Sequence, residues 1–444
     1  MDNGLLMNND FSIESALKLR NSSEDEVREI QTALLKNHVR QANKAPHYRD
    51  LFSSIGLTPE DLHSLEDLKT IPFTSRSDLD KDQAAFHAVS PASMADLALT
   101  SGTTGDSVLV PYTFNDLRRL AFNETMSFWG TGTRPGDRLL LCVTLDRCFI
   151  AGLAYYSGLV KLGATVIRSG PGQPARQWEL INKLRPTGIV GVPSFLLRLA
   201  EWGQQNDYSP QQSGIRSLVT IGEPVRKADH TRTPLGKQLE EAWGAQIFSS
   251  YGATEMETAF CECQASAGGH IHPELMLVEI VDEQGNVLPP GEPGEVVVTP
   301  LGVEGFPLLR FRTGDVARID RSHCACGWQT PRLGAIEGRL AHRLKCKGTT
   351  LYPETIFQVV QEIPEIQSAY IEVRSSFDLS DEITVVAGAD ETISVTTVTD
   401  FLQARLRVRP EVIIKSRSEV LAVMEQGGGH KMKKFFDLRQ ENRQ

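Results

Sequence analysis

The stretch that decides the fold reads Leu139-Leu-Leu-Cys-Val-Thr-Leu145, then Gly152-Leu-Ala-Tyr-Tyr-Ser-Gly-Leu-Val-Lys-Leu-Gly163, then Ala164-Thr-Val-Ile-Arg-Ser-Gly170. The first and third segments are short apolar runs typical of buried strands, and the middle segment is helix-like. The same alternation returns further on, in segments 187–193, 195–202, 217–222 and 237–244. Strand–helix alternation of this kind predicts a parallel sheet that is covered by helices on both faces.

The flanking sequence predicts three further parts. The first ~90 residues are expected to be helical, with one helix from Glu26 to Asn43 and a capped helical turn that begins at Asp61. From Met276 onward, short apolar runs alternate with turn signals at 284–286 and 289–291, which predicts an antiparallel sheet or a small barrel. After Gly338, roughly 100 residues form a compact segment with its own strands and helices.

The composition excludes several classes of protein. The chain has 444 residues with 46 Lys plus Arg against 56 Asp plus Glu, so its formal charge is −10. An acidic chain without a basic block is a poor candidate for nucleic-acid binding. No apolar run approaches the ~20 residues that a bilayer span needs, and the N-terminus lacks the pattern of a secretory signal. We therefore expect a cytoplasmic protein; the oligomeric state is left open, with a homodimer as one alternative.

The seven cysteines do not form the pattern of a disulfide framework. Cys142, Cys148 and Cys346 lie in apolar or mixed stretches, and we expect them to be plain buried thiols. The other four form two close pairs, at 261 and 263 and at 324 and 326. Paired thiols in a reducing compartment indicate a metal site before they indicate a disulfide.

Four motifs carry candidate chemistry. Leu99-Thr-Ser-Gly-Thr-Thr-Gly-Asp106 is a hydroxyl- and glycine-rich loop whose amides and hydroxyls suit a polyphosphate, although it lacks the ending of a Walker loop. Tyr251-Gly-Ala-Thr-Glu255 places a carboxylate after a strand, where a divalent cation can bind. Pro307-Leu-Leu-Arg-Phe-Arg-Thr-Gly-Asp315 offers an Asp for two ribose hydroxyls, and Gly338-Arg339 precedes Lys347-Gly348.

The order and spacing of these motifs, with Gly429-His-Lys431 near the end, resemble the adenylate-forming superfamily of acyl-CoA synthetases, adenylation domains and luciferases. Within it, the chain is similar to the phenylacetate-CoA ligase family in its opening (Ala45 to Phe52) and in its cysteine segments. The resemblance extends from about Val27 to Arg439. It implies an α/β fold with a large N-terminal domain (1–340), which contains parallel β/α subdomains and a small β-barrel-like part, and a smaller mobile α+β C-terminal domain (341–444).

The resemblance implies an ATP-dependent ligase that joins a carboxylic acid to coenzyme A through an acyl-adenylate, with an aryl or arylacetic acid such as phenylacetate as the substrate. The implied catalytic residues are Lys431, with Lys433 and Lys434 as rivals, Glu255 as the Mg²⁺ ligand and Thr254 at the α-phosphate. The implied nucleotide contacts are Thr100, Ser101, Gly102, Thr103, Thr104, Gly105, Gly222, Glu223, Pro224, Tyr251, Gly252, Asp315 and Arg339. Candidates for the acid pocket are Tyr155, Tyr156, Phe149, Ile221, Gly222 and Ala253, and Arg168 is a candidate for binding a second carboxylate.

Three thiolates and an imidazole suit a closed tetrahedral zinc site, so Cys263, His270, Cys324 and Cys326 are the predicted ligands of a structural Zn²⁺. Cys261 competes with Cys263 for this role, because both would point to the same face of an extended strand. The metal is expected to lie away from the ATP motifs.

The sequence departs from the family pattern at two places, and two other functions are alternatives to the one that the resemblance implies. The phosphate loop continues with Asp106-Ser107 instead of Lys-Pro, and the hinge has Ala341-His342 after Leu340 instead of two Asp residues. The nearest rival function is a stand-alone adenylation enzyme that passes its acyl group to a carrier protein or an amine. The other is a non-catalytic module that binds zinc and a nucleotide.

Overall fold

The structure is a computed structural model that describes residues 11–100, 107–346, 349–375, 381–389, 393–425 and 432–439. Its helices, α1 to α12 in chain order, are Ile13–Leu19, Glu24–Ala42, Pro46–Ile55, Arg76–Lys81, Phe114–Gly130, Ile150–Leu162, Pro174–Leu184, Pro193–Gln205, Pro234–Trp243, Pro353–Val360, Val395–Leu406 and Arg417–Glu425. Its strands, β1 to β21, are Asp96–Leu99, Leu109–Tyr112, Arg138–Leu141, Thr165–Arg168, Gly188–Gly191, Ser217–Ile221, Gln246–Ala253, Thr258–Cys261, Gly269–His270, Met276–Val281, Gly294–Pro300, Phe311–Ala317, Ile319–Asp320, Arg332–Leu333, Gly338–Arg339, Leu344–Cys346, Thr349–Leu351, Ser368–Ser375, Asp381–Gly388, Glu411–Lys415 and Phe435–Asp437.

Local capping explains where several helices begin and end. The Ser23 hydroxyl accepts the Glu26 N–H and the Glu26 carboxylate accepts the Ser23 N–H, which closes a capping box at the start of α2. Thr113 and Asp116 form the same box at the start of α5. Such caps contribute about 1 kcal/mol each. Gly163 ends α6 with φ 90°, a left-handed conformation that glycine adopts without strain. The helix expected from Glu26 is confirmed and begins two residues earlier.

The chain divides into two compact units. The first comprises residues 1–232, 236–313 and 317–335, and the second comprises 233–235, 314–316 and 336–444. The main segment of the second unit thus begins a few residues before the predicted domain boundary. Among the described residues, no helix is long and apolar enough to cross a bilayer.

The first unit is built on a six-stranded sheet with the order β4-β3-β5-β6-β7-β8. The first five strands are parallel, as the strand–helix alternation predicts, and β8 returns antiparallel to β7. Apolar side chains from β3, β5, β6 and β7 pack against Phe128 of α5 and against Tyr155 and Leu159 of α6. The predicted antiparallel region is also present, because β10 pairs with β11 from Met276 opposite Pro300 to Val281 opposite Glu295.

The second unit has a mixed sheet of its own, with the order β20-β19-β18-β21. Strands β18 and β19 form an antiparallel pair, while β21 and β20 join its two edges in parallel. One face packs on α10 and α11 through residues such as Ile356, Ile371, Val385 and Leu402, which are fully buried. This unit therefore has a separate hydrophobic core, and the predicted α/β fold class is confirmed.

One prediction about the cysteines is wrong. Cys142 and Cys346 are buried, but Cys148 is exposed. It lies in the loop between β3 and α6 with φ 55°, beyond the end of the apolar strand at Leu141. The apolar sequence around it belongs to the strand and to the helix and does not extend through the loop.

Candidate active site and metal centre

Two candidate segments meet at the carboxyl edge of the parallel sheet. Strand β6 ends at Ile221, which lies opposite Ser250 of β7, and the chain leaves β6 at Gly222 with φ 80°. Tyr251 is the next residue along β7. In open α/β sheets this edge is where ligands bind. The structure therefore brings the Gly222–Pro224 and Tyr251–Glu255 segments to one place.

The turn after β7 positions Thr254 and Glu255. A single 3₁₀ turn covers Thr254–Met256 and is closed by a bond from the Glu257 N–H to the Thr254 carbonyl. The Tyr112 hydroxyl donates to the same carbonyl at 3.4 Å. The Glu255 carboxylate is 13% exposed, and its Oε1 lies 3.5 Å from Nη1 of Arg76. A partly exposed carboxylate on a braced turn is suited to a hard divalent cation.

Side chains around this edge have structural partners that the sequence did not indicate. The Glu223 carboxylate accepts the Ser194 N–H at 2.8 Å and the Ser194 hydroxyl at 3.1 Å, so it caps the start of α8. The Tyr251 ring stacks on Phe260 with centroids 6.2 Å apart. A Cβ at Gly252 would lie 3.1 Å from the Thr258 carbonyl oxygen, so the antiparallel pairing of β7 with β8 itself favours glycine there.

The stem of the predicted phosphate loop is closed by backbone and hydroxyl bonds. Thr100 donates its N–H to the Val108 carbonyl at 3.0 Å, and its hydroxyl accepts the Val108 N–H at 2.9 Å. The hydroxyl of Thr100 thus has a local role in the stem. The other predicted members of the loop lie outside the described residues: Ser101, Gly102, Thr103, Thr104 and Gly105.

In the second unit, Asp315 and Arg339 are direct cross-strand neighbours on β12 and β15. The Arg339 Nε donates to Asp315 Oδ1 at 3.1 Å, and the arginine side chain is 49% exposed while the carboxylate is nearly buried. A carboxylate has up to four lone-pair sites, so one that is held by a cation can also accept hydrogen bonds from vicinal hydroxyls. The two residues predicted to hold the ribose are therefore brought together.

The hinge segment and the end of the chain are also joined within the second unit. Arg439 donates to the carbonyls of Arg343 at 2.9 Å and Ala341 at 3.3 Å. The His342 ring packs against Phe435 of β21, with centroids 4.8 Å apart. These contacts link the predicted hinge segment to the end of the chain around β21, which follows the candidate lysines. Lys431 itself lies outside the described residues.

A second cluster lies in the first unit and contains only soft metal-ligand atoms. One ligand atom from each of Cys263, His270, Cys324 and Cys326 lies within 4.8 Å of the others. The Cys263 and Cys324 sulfurs are 3.6 Å apart, and the Cys326 sulfur is 3.3 Å from His270 Nε2. His270 Nδ1 lies 2.9 Å from the Thr330 hydroxyl, which turns Nε2 toward the thiols.

The surroundings of the cluster fit a metal ion. Burial lowers the pKa of His270 to about 4, so its imidazole is neutral at pH 7, as a metal ligand must be. Burial raises the pKa of the Cys263 thiol well above its usual range, and a bound cation would offset that cost by stabilising the thiolate. Three sulfurs and one nitrogen suit tetrahedral zinc.

Cys261 lies apart from the cluster, packed in the apolar core of the first unit. The extended-strand argument placed Cys261 and Cys263 on one face, but β8 ends at Cys261. The alternation of strand side chains therefore does not extend to Cys263.

Comparison with known proteins gives the family. The profile for the family described as AMP-binding enzyme matches residues 24–303, which is more than half of the chain. The chain belongs to this family. A phenylacetate-coenzyme A ligase of Thermus thermophilus is 34% identical over 353 residues, which are 78% of each chain. One of Escherichia coli is 28% identical over 363 residues, covering 79% of this chain and 80% of the relative.

A solved structure agrees with this assignment at the level of the fold. A 2-hydroxyisobutyryl-CoA ligase in complex with 2-HIB-AMP has a TM-score of 0.83 at 22% identity, and covers 96% of this chain and 92% of its own. The predicted resemblance to phenylacetate-CoA ligases within the adenylate-forming superfamily is confirmed by these relatives and by the profile.

Two arginines of this AMP-binding enzyme were missed at the sequence level. Arg76 approaches Glu255, and the only signal was its place just after the family-like Ile71-Pro-Phe-Thr74 segment. Arg119 is 1% exposed and donates to the carbonyls of Glu257, Leu275 and Leu301 at 2.6–2.7 Å. It therefore anchors the backbone directly beyond the Glu255 turn.

Proposed function

We propose that the protein is an AMP-forming acid–CoA ligase that acts on an aryl or arylacetic acid, with phenylacetate as the first candidate. The carboxylate attacks the α-phosphate of ATP and releases pyrophosphate; the thiol of coenzyme A then displaces AMP. Family membership and the names of the relatives support this reaction. The observation that carries the proposal is the braced Thr254–Met256 turn, which holds Glu255 at the ligand-binding edge of the sheet.

The residue roles follow from the geometry together with the family resemblance. Glu255 would hold Mg²⁺, which when bound neutralises phosphate charge and orients the pyrophosphate leaving group. Thr254 lies beside Glu255 in the same turn and would contact the α-phosphate. The Gly222–Pro224 segment and Tyr251 would contact the adenine base. The Glu223 carboxylate caps α8, so its contribution would be to hold the conformation of the Gly222–Pro224 loop. Gly252 lets β7 and β8 pair closely there.

Further contacts would come from other segments of the chain. Asp315 would accept the ribose hydroxyls and Arg339 would hold Asp315 in place. Thr100 and the loop that follows it would bind the β- and γ-phosphates. Lys431 would approach the attacking carboxylate, so that its positive charge favours the negative charge that develops in the transition state.

The acid pocket is the least specified part. Tyr155 is 4% exposed and packs edge-on against Phe128, so it belongs to the core. Phe149 is 37% exposed, and the Arg168 guanidinium lies 5.7 Å from the Tyr156 ring centre. We propose that Phe149 and Tyr156 line the acid pocket, with Arg168 beside it.

We further propose that the cluster of Cys263, His270, Cys324 and Cys326 holds one structural Zn²⁺. The closed set of four protein ligands supports a structural site, because a catalytic zinc keeps one position for water or substrate. The cytoplasmic location and the homodimer stay predictions.

The test is ATP–pyrophosphate exchange with purified protein over aryl, arylacetic and aliphatic acids. Arylacetic acids are expected to give the highest exchange. AMP release measured with and without coenzyme A then separates a CoA ligase, in which coenzyme A accelerates turnover, from an enzyme that serves a carrier protein or an amine. No exchange with any acid would contradict the proposed function.

A further inference from the structure

Three polar side chains lie in the apolar core between the six-stranded sheet and the helices α5 and α6. Glu124 on α5 is 2% exposed, Tyr155 on α6 is 4% exposed and Ser250 on β7 is 8% exposed. The Tyr155 ring packs there with Phe128 and Phe248. A polar group in such surroundings is costly unless it is hydrogen-bonded.

Ser250 lies where this core reaches the ligand-binding edge of the sheet. It follows Phe248 by two residues, so both side chains lie on the same face of β7. Its cross-strand neighbours are Ile221 of β6 and Cys261 of β8, which also pack on this core. Because β6 ends at Ile221, Ser250 lies between the apolar core and the edge at which open α/β sheets bind their ligands.

Glu124 lies behind Ser250, where α5 and α6 pack most closely. A Cβ at Gly158 of α6 would lie 2.3 Å from the Glu124 Cβ, so the two helices approach each other without a side chain between them. Tyr155 is one turn earlier on α6. Burial and the neighbouring Glu124 raise the pKa of Tyr155 well above its usual range, so these two side chains are electrostatic neighbours.

Two oxygen atoms of this group are unpaired. In the part of the chain that the structure describes, Glu124 Oε2 and Ser250 Oγ have no hydrogen-bond partner of normal geometry. The next buried hydroxyl on α5 differs, because Thr125 Oγ1 lies 2.8 Å from the Ala121 carbonyl and 3.0 Å from the Gly158 carbonyl. Unpaired buried oxygens destabilise a folded protein, so their presence at a ligand-binding edge indicates a partner that the ligand supplies.

We propose that Glu124 and Ser250 line the inner end of the acid pocket and bind a hydroxyl group of the substrate, so that the preferred acid is a hydroxylated aryl or arylacetic acid. This inference rests on the proposed function and narrows its substrate class. A hydroxyl group donates one hydrogen bond and accepts others, so it can pair with a carboxyl group and with a serine hydroxyl at the same time.

The protonation state of Glu124 suits this role. Burial raises the pKa of Glu124 to about 8, so at pH 7 the carboxyl is mostly neutral and can donate as well as accept. A site that hydrogen-bonds a substrate hydroxyl discriminates against the analogue without it, because the buried groups of the site then stay unpaired. A wholly apolar pocket discriminates far less between two such acids.

The test is ATP–pyrophosphate exchange with matched acids at saturating Mg·ATP. Phenylacetic acid is compared with its 2-, 3- and 4-hydroxy derivatives, and benzoic acid with the hydroxybenzoic acids. The corresponding methyl derivatives are controls for size, since a methyl group resembles a hydroxyl in volume and forms no hydrogen bond. We expect kcat/KM for at least one hydroxylated acid to exceed that for its parent and for its methyl analogue by about 10-fold or more.

Variants assign this preference to the two residues. Ser250→Ala and Glu124→Leu should each lower the ratio of kcat/KM between the hydroxylated acid and its parent by about 10-fold. Glu124→Gln keeps a hydrogen-bonding group of similar shape and should retain more of the ratio than Glu124→Leu. The matched control is Ser213→Ala, which removes a buried hydroxyl that donates to the Pro210 carbonyl and should leave the ratio unchanged.

Equal use of the hydroxylated, methylated and parent acids by the unmodified protein would overturn this inference and leave the proposed ligase activity standing. A buried water that pairs with both oxygens would give that result. A preference that persists in both Ser250→Ala and Glu124→Leu would also overturn it. If Glu124→Leu does not fold, Ser250→Ala decides alone, because it removes a single oxygen. Exchange with no acid at all would contradict the proposed function and this inference with it.

Discussion

Two glutamates of the first unit lie in opposite surroundings. Glu255 is partly exposed and faces a cation, whereas Glu124 is 2% exposed on α5. Glu124 accepts one hydrogen bond, from Asn123 at 3.1 Å, and its Oε2 has no partner among the described residues. Burial raises the pKa of Glu124 to about 8. The Glu255 carboxylate thus lies near the surface beside Arg76, and the Glu124 carboxyl is kept protonated inside the protein at neutral pH.

Glu255→Gln should weaken the use of Mg·ATP by at least ~10-fold, because the loss of a charged metal ligand costs more than ~1.4 kcal/mol. The measurement is exchange activity against Mg²⁺ concentration at fixed ATP. The fold should persist, since the residue lies on a turn that backbone bonds hold. An unchanged Mg²⁺ dependence would contradict the metal role.

Glu124→Gln should stabilise the protein more at pH 8 than at pH 4.5. Below pH 4.5 the carboxyl is protonated in both the folded and the unfolded chain. As the pH rises toward about 8, only the unfolded chain loses its proton, so the free energy of unfolding of the unmodified protein falls. The neutral amide avoids that loss, which we expect to be on the order of 2 kcal/mol.

Melting temperatures of both proteins from pH 4.5 to 8.5 test this prediction. Glu60→Gln, at an exposed position, is the control and should show no pH-dependent difference from the unmodified protein. An effect of Glu124→Gln that is equal at all pH values would show that the Glu124 carboxyl does not titrate in this range.

At the scale of secondary-structure elements, the cluster of Cys263, His270, Cys324 and Cys326 connects very short strands and the loop before β14. Strand β9 pairs with β14 over two residues, with His270 opposite Arg332. The Trp328 ring packs against His270 at 5.1 Å and lies under the guanidinium of Arg20, next to α1. A zinc ion would therefore stabilise β9, β14 and the loop before β14 together.

Cys324→Ser should lower the zinc content and the melting temperature together, the latter by about 5 °C or more, because metal binding is coupled to local folding. The control is Cys148→Ser, which changes an exposed thiol outside the cluster and should alter neither quantity. Elemental analysis should find about one zinc per chain. Absence of metal with an unshifted melting temperature would make these residues ordinary core thiols.

At the scale of the whole molecule, the two units carry different parts of the candidate chemistry. The first carries Glu255 and Thr254, and the second carries Asp315, Arg339 and the sequence around Lys431. Candidate residues of one unit can therefore be needed for adenylate formation without being needed for thioester formation. The half-reactions of point variants are a direct measure of this division.

Lys431→Ala should abolish most adenylate formation and leave thioester formation from preformed acyl-adenylate largely intact, because its charge is needed while the carboxylate attacks. Pyrophosphate exchange and single-turnover thioester formation measure the two steps separately. Lys433→Ala is the comparison variant, because Lys433 is a rival for this role; its ammonium lies over the Phe436 ring at 4.8 Å, so we expect a smaller loss than in Lys431→Ala. Equal losses in both steps would remove Lys431 from the catalytic role.

The sequence by itself determined the fold class, the family and the order of the motifs. These properties depend on local patterns: the alternation of strands and helices sets the parallel sheet, and turns such as Tyr251–Glu255 are short segments. The resemblance to the family implied the roles of Asp315 and Arg339, while the two cysteine pairs indicated a metal by their residue types at close spacing; the roles and the metal stay predictions. The roles proposed for individual residues came from the resemblance to the family.

Only the tertiary structure decided which distant groups meet. Arg76 and Glu255 are 179 positions apart, and their contact depends on the pairing of Thr74 with β12. The placement of Cys263 rather than Cys261 beside His270, Cys324 and Cys326 depends on where β8 ends. The capping of α8 by Glu223 depends on the order of β5 and β6. Such contacts are set by strand pairing and burial over the whole chain, and no local pattern of residues encodes them.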